Sequence, residues 1–352
     1  MEWARIALGG TPALGQIRVS YGHKHIPHPG EPAHGGMVKF QRLQNEFPNS
    51  PWCFNILYMG SSSIPAGWQK LLELARHKGA RLVWNQDGVG YPGWHGPGWE
   101  KFNLPMAKIV HEADYVFYQS RFCKHSADHF LGERKERWEI LYNAVDTRVF
   151  KPTRFNPNSL VLLSCGSIGD FYRFRVLVSA TALVAQFRPE IRLIVAGRLV
   201  WAPDQAQVFR EASRLIDDLC MRDRVILEPP YLQTNAPFIF QRAHILLHTQ
   251  YNDACPTTVI EAMASGLPVV YLNSGGTPEL VGEEAGIGIP AELSWEQIHL
   301  PDSSVFAEAV LQVAEQRAKY AEAARQRAEE HFDIRPWLQR HREVFEELVA
   351  LQ

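Results

Sequence analysis

The 352-residue sequence has no run of eighteen apolar residues, which excludes a membrane-spanning helix on pattern alone. Its opening residues lack the charged and then apolar regions of an export signal. The expected location is therefore the cytoplasm, with at most peripheral contact to the inner face of a membrane. Five cysteines (Cys53, Cys123, Cys165, Cys220 and Cys255) are odd in number and show no CxxC spacing. That argues against a disulfide framework and against a zinc site, and leaves reduced thiols as the default. The net charge is only −2, from 36 Lys and Arg against 38 Asp and Glu, so the broad basic field of a nucleic-acid binder is absent. Short-period repeats and low-complexity tracts are also missing, which argues against a solenoid or a disordered linker protein.

What is present is an ordinary globular composition, 46% apolar and 21% charged. The length suits two domains of roughly 150 residues each, and two domains imply a cleft. Residues 1–150 carry 17 Lys and Arg against 13 Asp and Glu, together with nine of the 14 His. The excess is small, and a solvated face accounts for it. Short β-rich runs alternate with longer helical patterns, which predicts parallel sheets wrapped by helices. In the first half "IRVSYG", "FNILYMG", "ARLVWNQ", "DYVFYQS" and "WEILYN" read as strands. "VDTRVFKPTRFNPNS", rich in Pro and Asn, reads as the linker. The alternation then restarts from "SLVLLSCGS" through "IRLIVAG", "RVILEP", "HILLHT" and "LPVVYL", and two long helices near 303–331 and 336–350 close the chain. The expected domains are residues 1–153 and 154–335. Doubly wound halves place ligands beyond the carboxyl ends of their strands, and the motifs fall in those loops.

In "CPTTVIEAMASG", Pro256 suits a helix start and Gly266 with Pro268 a helix end. Helical spacing puts Thr257, Thr258 and Glu261 on one polar stripe, which is expected to face the cleft, while Val259, Ile260 and Met263 serve the core. A carboxylate there can accept both hydroxyls of a ribose, with backbone amides and threonine hydroxyls meeting phosphate oxygens. A plain helix-start acid is the competing reading. "GGMVKF" offers Gly35 and Gly36 ahead of a helix, and "NSGGTPELV" offers Gly275, Gly276 and Thr277. Both patterns let backbone amides approach phosphate, although glycines also mark simple turns. "LVWNQDGVGYPGWHGPGW" supplies Asn85 and Asp87 for hydroxyls, and Trp84, Tyr91, Trp94 and Trp99 as flat faces for sugar; loop packing is the alternative for at least two of the rings. The histidines of "GHKHIPHPGEPAH" are too irregular for a metal site.

Asp253, seven intervening residues and Glu261, within "DACPTTVIEAMASGLPVVYLNSGGTPELV", resemble the donor-binding signature of family 4 glycosyltransferases, which have the GT-B fold. "PAHGGMVKF", "YNAVDTRVFKP" and "LIVAG" extend the resemblance over most of the chain. It implies an α/β protein of two Rossmann-like domains facing each other across a cleft, with a C-terminal helix crossing back to the first. It also implies transfer of a sugar from a nucleotide-diphosphate sugar, UDP-linked by expectation, with retention of configuration. The acceptor would be a glycan, a glycolipid or a small molecule, held by the first domain. No metal or further cofactor and no nucleic-acid partner are expected.

By the same resemblance Glu261 holds the ribose, while Asp253 contacts the donor sugar in place of the longer glutamate usual there. Gly35, Gly36, Gly275, Gly276, Thr277, Thr257 and Thr258 line the donor. The family's diphosphate arginine falls at Ser167, so Arg173 or Arg175 is the remaining cation, with Arg173 favoured. Arg173, Asp253 and Asp87 are the residues expected at the reacting centre. A GT-B epimerase or a non-catalytic sugar-binding relative would share these features. A glycoside hydrolase would use two carboxylates without needing glycine loops in two Rossmann-like halves.

Overall fold

The computed structural model of the chain describes residues 2–10, 12–13, 15–33, 35–153 and 159–351. His34 of the histidine-rich stretch and residues 154–158 of the expected linker lie outside them. The chain separates into two compact units, Met1–Asn143 with Ile334–Gln352, and Ala144–Asp333. The second unit begins ahead of the Pro-rich segment because residues after Asn143 bond within it. The Val145 N–H donates to the Phe332 carbonyl at 2.8 Å. The Thr147 hydroxyl donates to Asp333, and Arg325 donates to the carbonyls of Phe150 at 2.7 Å and Thr147 at 3.0 Å.

In the first unit, α1 (Glu2–Leu8), β1 (Val19–Ser20), α2 (Gly35–Leu43), β2 (Ile56–Gly60), α3 (Trp68–His77) and β3 (Arg81–Gln86) are followed by the short α4 (Pro92–His95). Then come α5 (Trp99–Glu112), β4 (Tyr115–Tyr118), α6 (Arg121–Leu131) and β5 (Trp138–Ile140). The sheet is parallel in the order β1-β2-β3-β4-β5. "IRVSYG" contributes only two strand residues, and α1 and α4 carry too little periodicity to be foreseen. The Ser120 hydroxyl starts α6 by accepting the Cys123 N–H at 3.0 Å.

In the second unit the elements are β6 (Leu160–Ile168), α7 (Phe171–Ala185), β7 (Ile191–Leu199), α8 (Gln205–Asp218), β8 (Val225–Glu228), α9 (Ala236–Phe240) and β9 (Ile245–His248). They continue as α10 (Thr257–Ala264), β10 (Val269–Asn273), α11 (Thr277–Val281), β11 (Gly286–Pro290), α12 (Ser303–Glu315) and α13 (Arg317–His331). This parallel sheet runs β11-β10-β9-β6-β7-β8. Its core joins Leu162, Leu193 and Ile245 of the strands to Phe174, Leu177 and Phe306 of the helices. In α8, Val208, Ala212 and Ile216 recur every four residues on the buried side. The single helix expected over 303–331 breaks at Gln316, at φ −111° and ψ 23°. The stripe Phe306, Val310, Val313 packs with α7, whereas Ala324 and Ala328 belong to a helix packed on α10, so the chain must turn between them.

The last helix, α14 (Ile334–Ala350), belongs to the first unit. Pro336 falls in its first turn, where no helical hydrogen bond is lost. It buries Ile334, Trp337, His341, Val344, Phe345 and Leu348. Burying rings such as Trp337 and Phe345 stabilises the unit by about 2–3 kcal/mol each. Alternate residues of the sheet meet it: the His341 ring lies 5.5 Å from Tyr58 of β2 and 4.6 Å from Phe117 of β4. His341 is fully buried and neutral. Its Nδ1–H donates to the Trp337 carbonyl at 2.8 Å, leaving Nε2 to accept the Tyr58 hydroxyl at 3.1 Å. Desolvation, opposed by the Trp337 carbonyl and reinforced by Lys39 and Arg340, pushes its pKa down to about 3.

The unfolded state therefore takes up a proton at His341 below pH ~6.5 while the folded state does not. Stability from this residue is complete above that value and falls as pH drops toward 3. By pH 5 the loss is about 2 kcal/mol. In urea titrations followed by tryptophan fluorescence, His341→Met should show a smaller midpoint drop between pH 7.5 and 5 than wild type. An equal drop in both proteins contradicts the assignment.

Candidate functional site

In the second unit β6 is flanked by β9 on one side and β7 on the other, so the chain leaves β6 in one direction and returns on its opposite edge. Loops at the carboxyl ends of β6 and β9 diverge there, and ligands of open parallel sheets bind at such a point. The first unit's sheet runs in sequential order and has no such reversal.

The loop after β9 is pinned by the loop after β10. Asn252 takes φ +50°, which asparagine tolerates, and its N–H donates to the Ser274 hydroxyl at 2.9 Å. The Gly276 N–H donates to the Asp253 carbonyl at 2.7 Å. Gly275 has φ +67°, and a Cβ there would lie 2.4 Å from the Asp253 oxygen, so only glycine fits. Asp253 and the Gly275–Thr277 segment are thus held side by side. His248 Nε2 stands 3.1 Å from Asp253 Oδ2, a close contact without good hydrogen-bond direction, with 8% and 20% of the two side chains exposed.

Pro256 precedes α10, whose first turn presents the half-buried Thr257 and Thr258. One turn on, Glu261 is only 3% exposed. The expectation of a carboxylate on an open stripe is therefore corrected: the segment after β8 covers it, and Gln233 Nε2 donates to its Oε1 at 2.6 Å. Cys165 of β6 and Tyr231 lie close by. Desolvation and then the Glu261 charge push the Cys165 thiol up to about 12, and burial followed by Cys165 and Glu261 raises the Tyr231 phenol well above its ordinary value.

Arg173 sits in the first turn of α7 and is 6% exposed. Its Nη1 donates to the Ser167 carbonyl at 3.1 Å, and its buried Nε has no protein acceptor. Desolvation lowers its pKa, opposed by Tyr172, Asp253 and Asp170, which places the cation near the Asp253 loop. Arg175 is exposed on the same helix. Thr249 and Thr277, also buried, carry hydroxyl oxygens without a partner. Orphaned buried polar atoms are rare and costly, and here they gather on loops that meet at one strand reversal.

The first unit gives a different picture. Gly36 opens α2 against the loop after β2, where a Cβ would lie 2.3 Å from Ser63 Oγ; Gly35 beside it faces open space. Asn85, expected to face hydroxyls, is 2% exposed, and its Oδ1 accepts from Lys39 at 2.6 Å and Gln119 at 2.7 Å. It is structural, because that buried network satisfies it. Trp84 and Tyr91 are 0% and 4% exposed and belong to the core, whereas Trp94 is 52% exposed and Trp99 half-buried. Asp87 is half-buried, with its N–H donating to Ser61 Oγ at 2.8 Å and its Oδ1 accepting the Gly88 N–H at 2.9 Å. Among the described residues no group of three or more His, Cys, Asp or Glu is placed to hold a metal.

Sequence reasoning missed Gln233, Tyr231, His248 and Cys165. Their partners lie 5 to 96 positions away, and only the strand order shows that they meet.

The family model described as glycosyl transferases group 1 matches residues 145–330. A D-inositol 3-phosphate glycosyltransferase of Streptomyces avermitilis is 24% identical over 198 residues, 51% of this chain and 42% of that protein. The chain thus spans less than half the length of this curated relative. HepE of Anabaena, solved with UDP and glucose, superposes with a TM-score of 0.73 at 15% identity, covering 94% of this chain and 100% of that one. Sucrose-phosphate synthase of Thermosynechococcus elongatus gives 0.68 at 16% identity, covering 89% and 77%. The fold is the α/β GT-B fold of two Rossmann-like domains. By the match to more than half of its length, the chain belongs to the group 1 glycosyl transferases.

Proposed function

We propose that the protein is a retaining glycosyltransferase that takes its sugar from a nucleoside-diphosphate donor bound at the carboxyl ends of β6 and β9. The observation that carries this reading is the buried carboxylate of Glu261, held by Gln233 on the same loop cluster as the orphaned Nε of Arg173. A buried acid fixed by an amide is ready for the two hydroxyls of a ribose, and a buried guanidinium without an ion-pair partner is ready for phosphate. The threonines of the first turn of α10 and the Gly275 and Thr277 amides serve the remaining phosphate and sugar oxygens. UDP is favoured because HepE, which shares the fold, is solved with UDP-glucose. The resemblance to family 4 supports retention.

In this scheme the bond between the anomeric carbon and the β-phosphate oxygen breaks, and an acceptor oxygen bonds to the same face of that carbon. The departing diphosphate takes the acceptor proton. Charge grows on the diphosphate as the bond breaks, so Arg173 and the Gly275 and Thr277 amides act most strongly in the transition state. Asp253, steadied by His248, meets hydroxyls of the transferred sugar. In the first unit Asp87 and the exposed Trp94 are assigned to the acceptor, and Gly35 and Gly36 keep their expected role as glycines that let backbone amides approach the donor's phosphates. The acceptor class is a glycan, glycolipid or small molecule.

Calorimetry with UDP, GDP and ADP tests the donor site. Glu261→Gln keeps the shape and removes the charge, and should weaken the preferred diphosphate about tenfold. In wild type the 2′-deoxy analogue should bind more weakly than its ribose parent, and in Glu261→Gln the two should converge. A variant that still separates them as wild type does would sink the ribose role. Arg173→Lys loses the planar fork, and turnover should drop about 100-fold or more with a much smaller change in KM. A rise in KM alone, with kcat intact, contradicts transition-state stabilisation by Arg173.

A further inference from the structure

Ser167 stands where the resemblance puts a diphosphate-binding arginine, yet the structure brings two guanidinium groups to this one neutral residue. Ser167 of β6 and Arg198 of β7 are Cα partners in the parallel register, so their side chains rise beside each other on one face near the carboxyl ends of the strands. Arg198 donates to the Ser167 hydroxyl through Nε at 3.2 Å and Nη2 at 3.0 Å. Arg173 reaches the carbonyl of the same residue at 3.1 Å from the other chain direction. Among the described residues neither guanidinium forms an ion pair with a carboxylate, and the nearest acids acting on Arg173 do so only at longer range.

Each guanidinium thus spends donors on a neutral oxygen of Ser167, and a diphosphate supplies the negative charge that neither finds there. Arg198 is exposed and spends two of its five N–H donors on Ser167, which orients its plane and leaves three for an incoming anion. Other surface arginines, such as Arg148 and Arg222, instead lie against an acid.

We propose that Arg198 is a donor-binding residue: from the neighbouring strand it supplies the diphosphate cation that Ser167 lacks, and Ser167 serves as its tether. The inference rests on the nucleotide-sugar reading above. The cation has moved from the end of β6 to the paired position on β7, and together with Arg173 it grips the diphosphate from two sides. The group recognised is the β-phosphate, so a nucleoside monophosphate should feel the loss far less.

The test is calorimetry on the full chain with whichever of UDP, GDP or ADP binds wild type most tightly, beside its monophosphate. Arg198→Gln should lower diphosphate affinity about tenfold and monophosphate affinity less than about threefold. The relocated pair Ser167→Arg with Arg198→Ser should bring diphosphate affinity back to within about threefold of wild type. Should that double variant fail to fold, the contrast between diphosphate and monophosphate in Arg198→Gln decides alone. Unchanged diphosphate affinity in Arg198→Gln, or an equal loss for both ligands, overturns the role of Arg198 and leaves the nucleotide-sugar reading standing. Wild type that binds none of the three diphosphates overturns that reading and this inference together.

Discussion

The reversal of strand order around β6 decides where chemistry can happen in this protein. A parallel sheet delivers every strand end to the same edge, but its loops ordinarily pack against the helices that follow. Between β6 and β9 they part company, and side chains can face a ligand there without blocking each other. Burying an unpaired charge costs several kcal/mol, and Gln233 and the Ser167 carbonyl help to hold Glu261 and Arg173 in their positions. The orphaned Arg173 Nε and the hydroxyls of Thr249 and Thr277 are the unmet remainder of that cost. The proposed donor, bearing phosphates and hydroxyls, offers the acceptors and donors that these atoms lack.

The loop after β10 has a supporting part. Asp253 is kept in place through its backbone, by Gly276 and the close passage of Gly275, so its shorter carboxylate starts from a fixed point. The His248 ring nitrogen lies 3.1 Å from the carboxylate itself. The first unit shows the opposite use of polar groups: Lys39, Asn85, Gln119 and Asn143 satisfy one another inside the core, and α14 seals the sheet with a histidine kept neutral. That network specifies packing in the first unit, whereas Arg173, Thr249 and Thr277 leave polar atoms without a partner around the candidate site of the second.

Much of the fold was legible because alternation of β-rich and helical runs is a local property. The β6, β7, β9 and β10 segments read directly; helical spacing put Glu261 on one stripe with Thr257 and Thr258, and the family resemblance singled out Asp253. Exposure was not legible in the same way. Glu261 is buried because Gln233, 28 positions earlier, folds over it, and the tether between Ser167 and Arg198 spans 31 positions through strand register. Trp84 and Asn85 looked like sugar contacts because aromatic and amide side chains serve core and ligand equally well; the neighbouring strands and Lys39 decided for the core. The four-residue α4 has too few residues for a helical period to declare itself.

Hydrogen exchange read by mass spectrometry, on the full chain with and without UDP, tests the central claim most directly. The account predicts that UDP slows exchange in three segments of the second unit: residues 165–175, 249–262 and 274–279. Protection confined to the first unit, or none at saturating UDP, GDP and ADP alike, would contradict a donor site at the β6–β9 reversal.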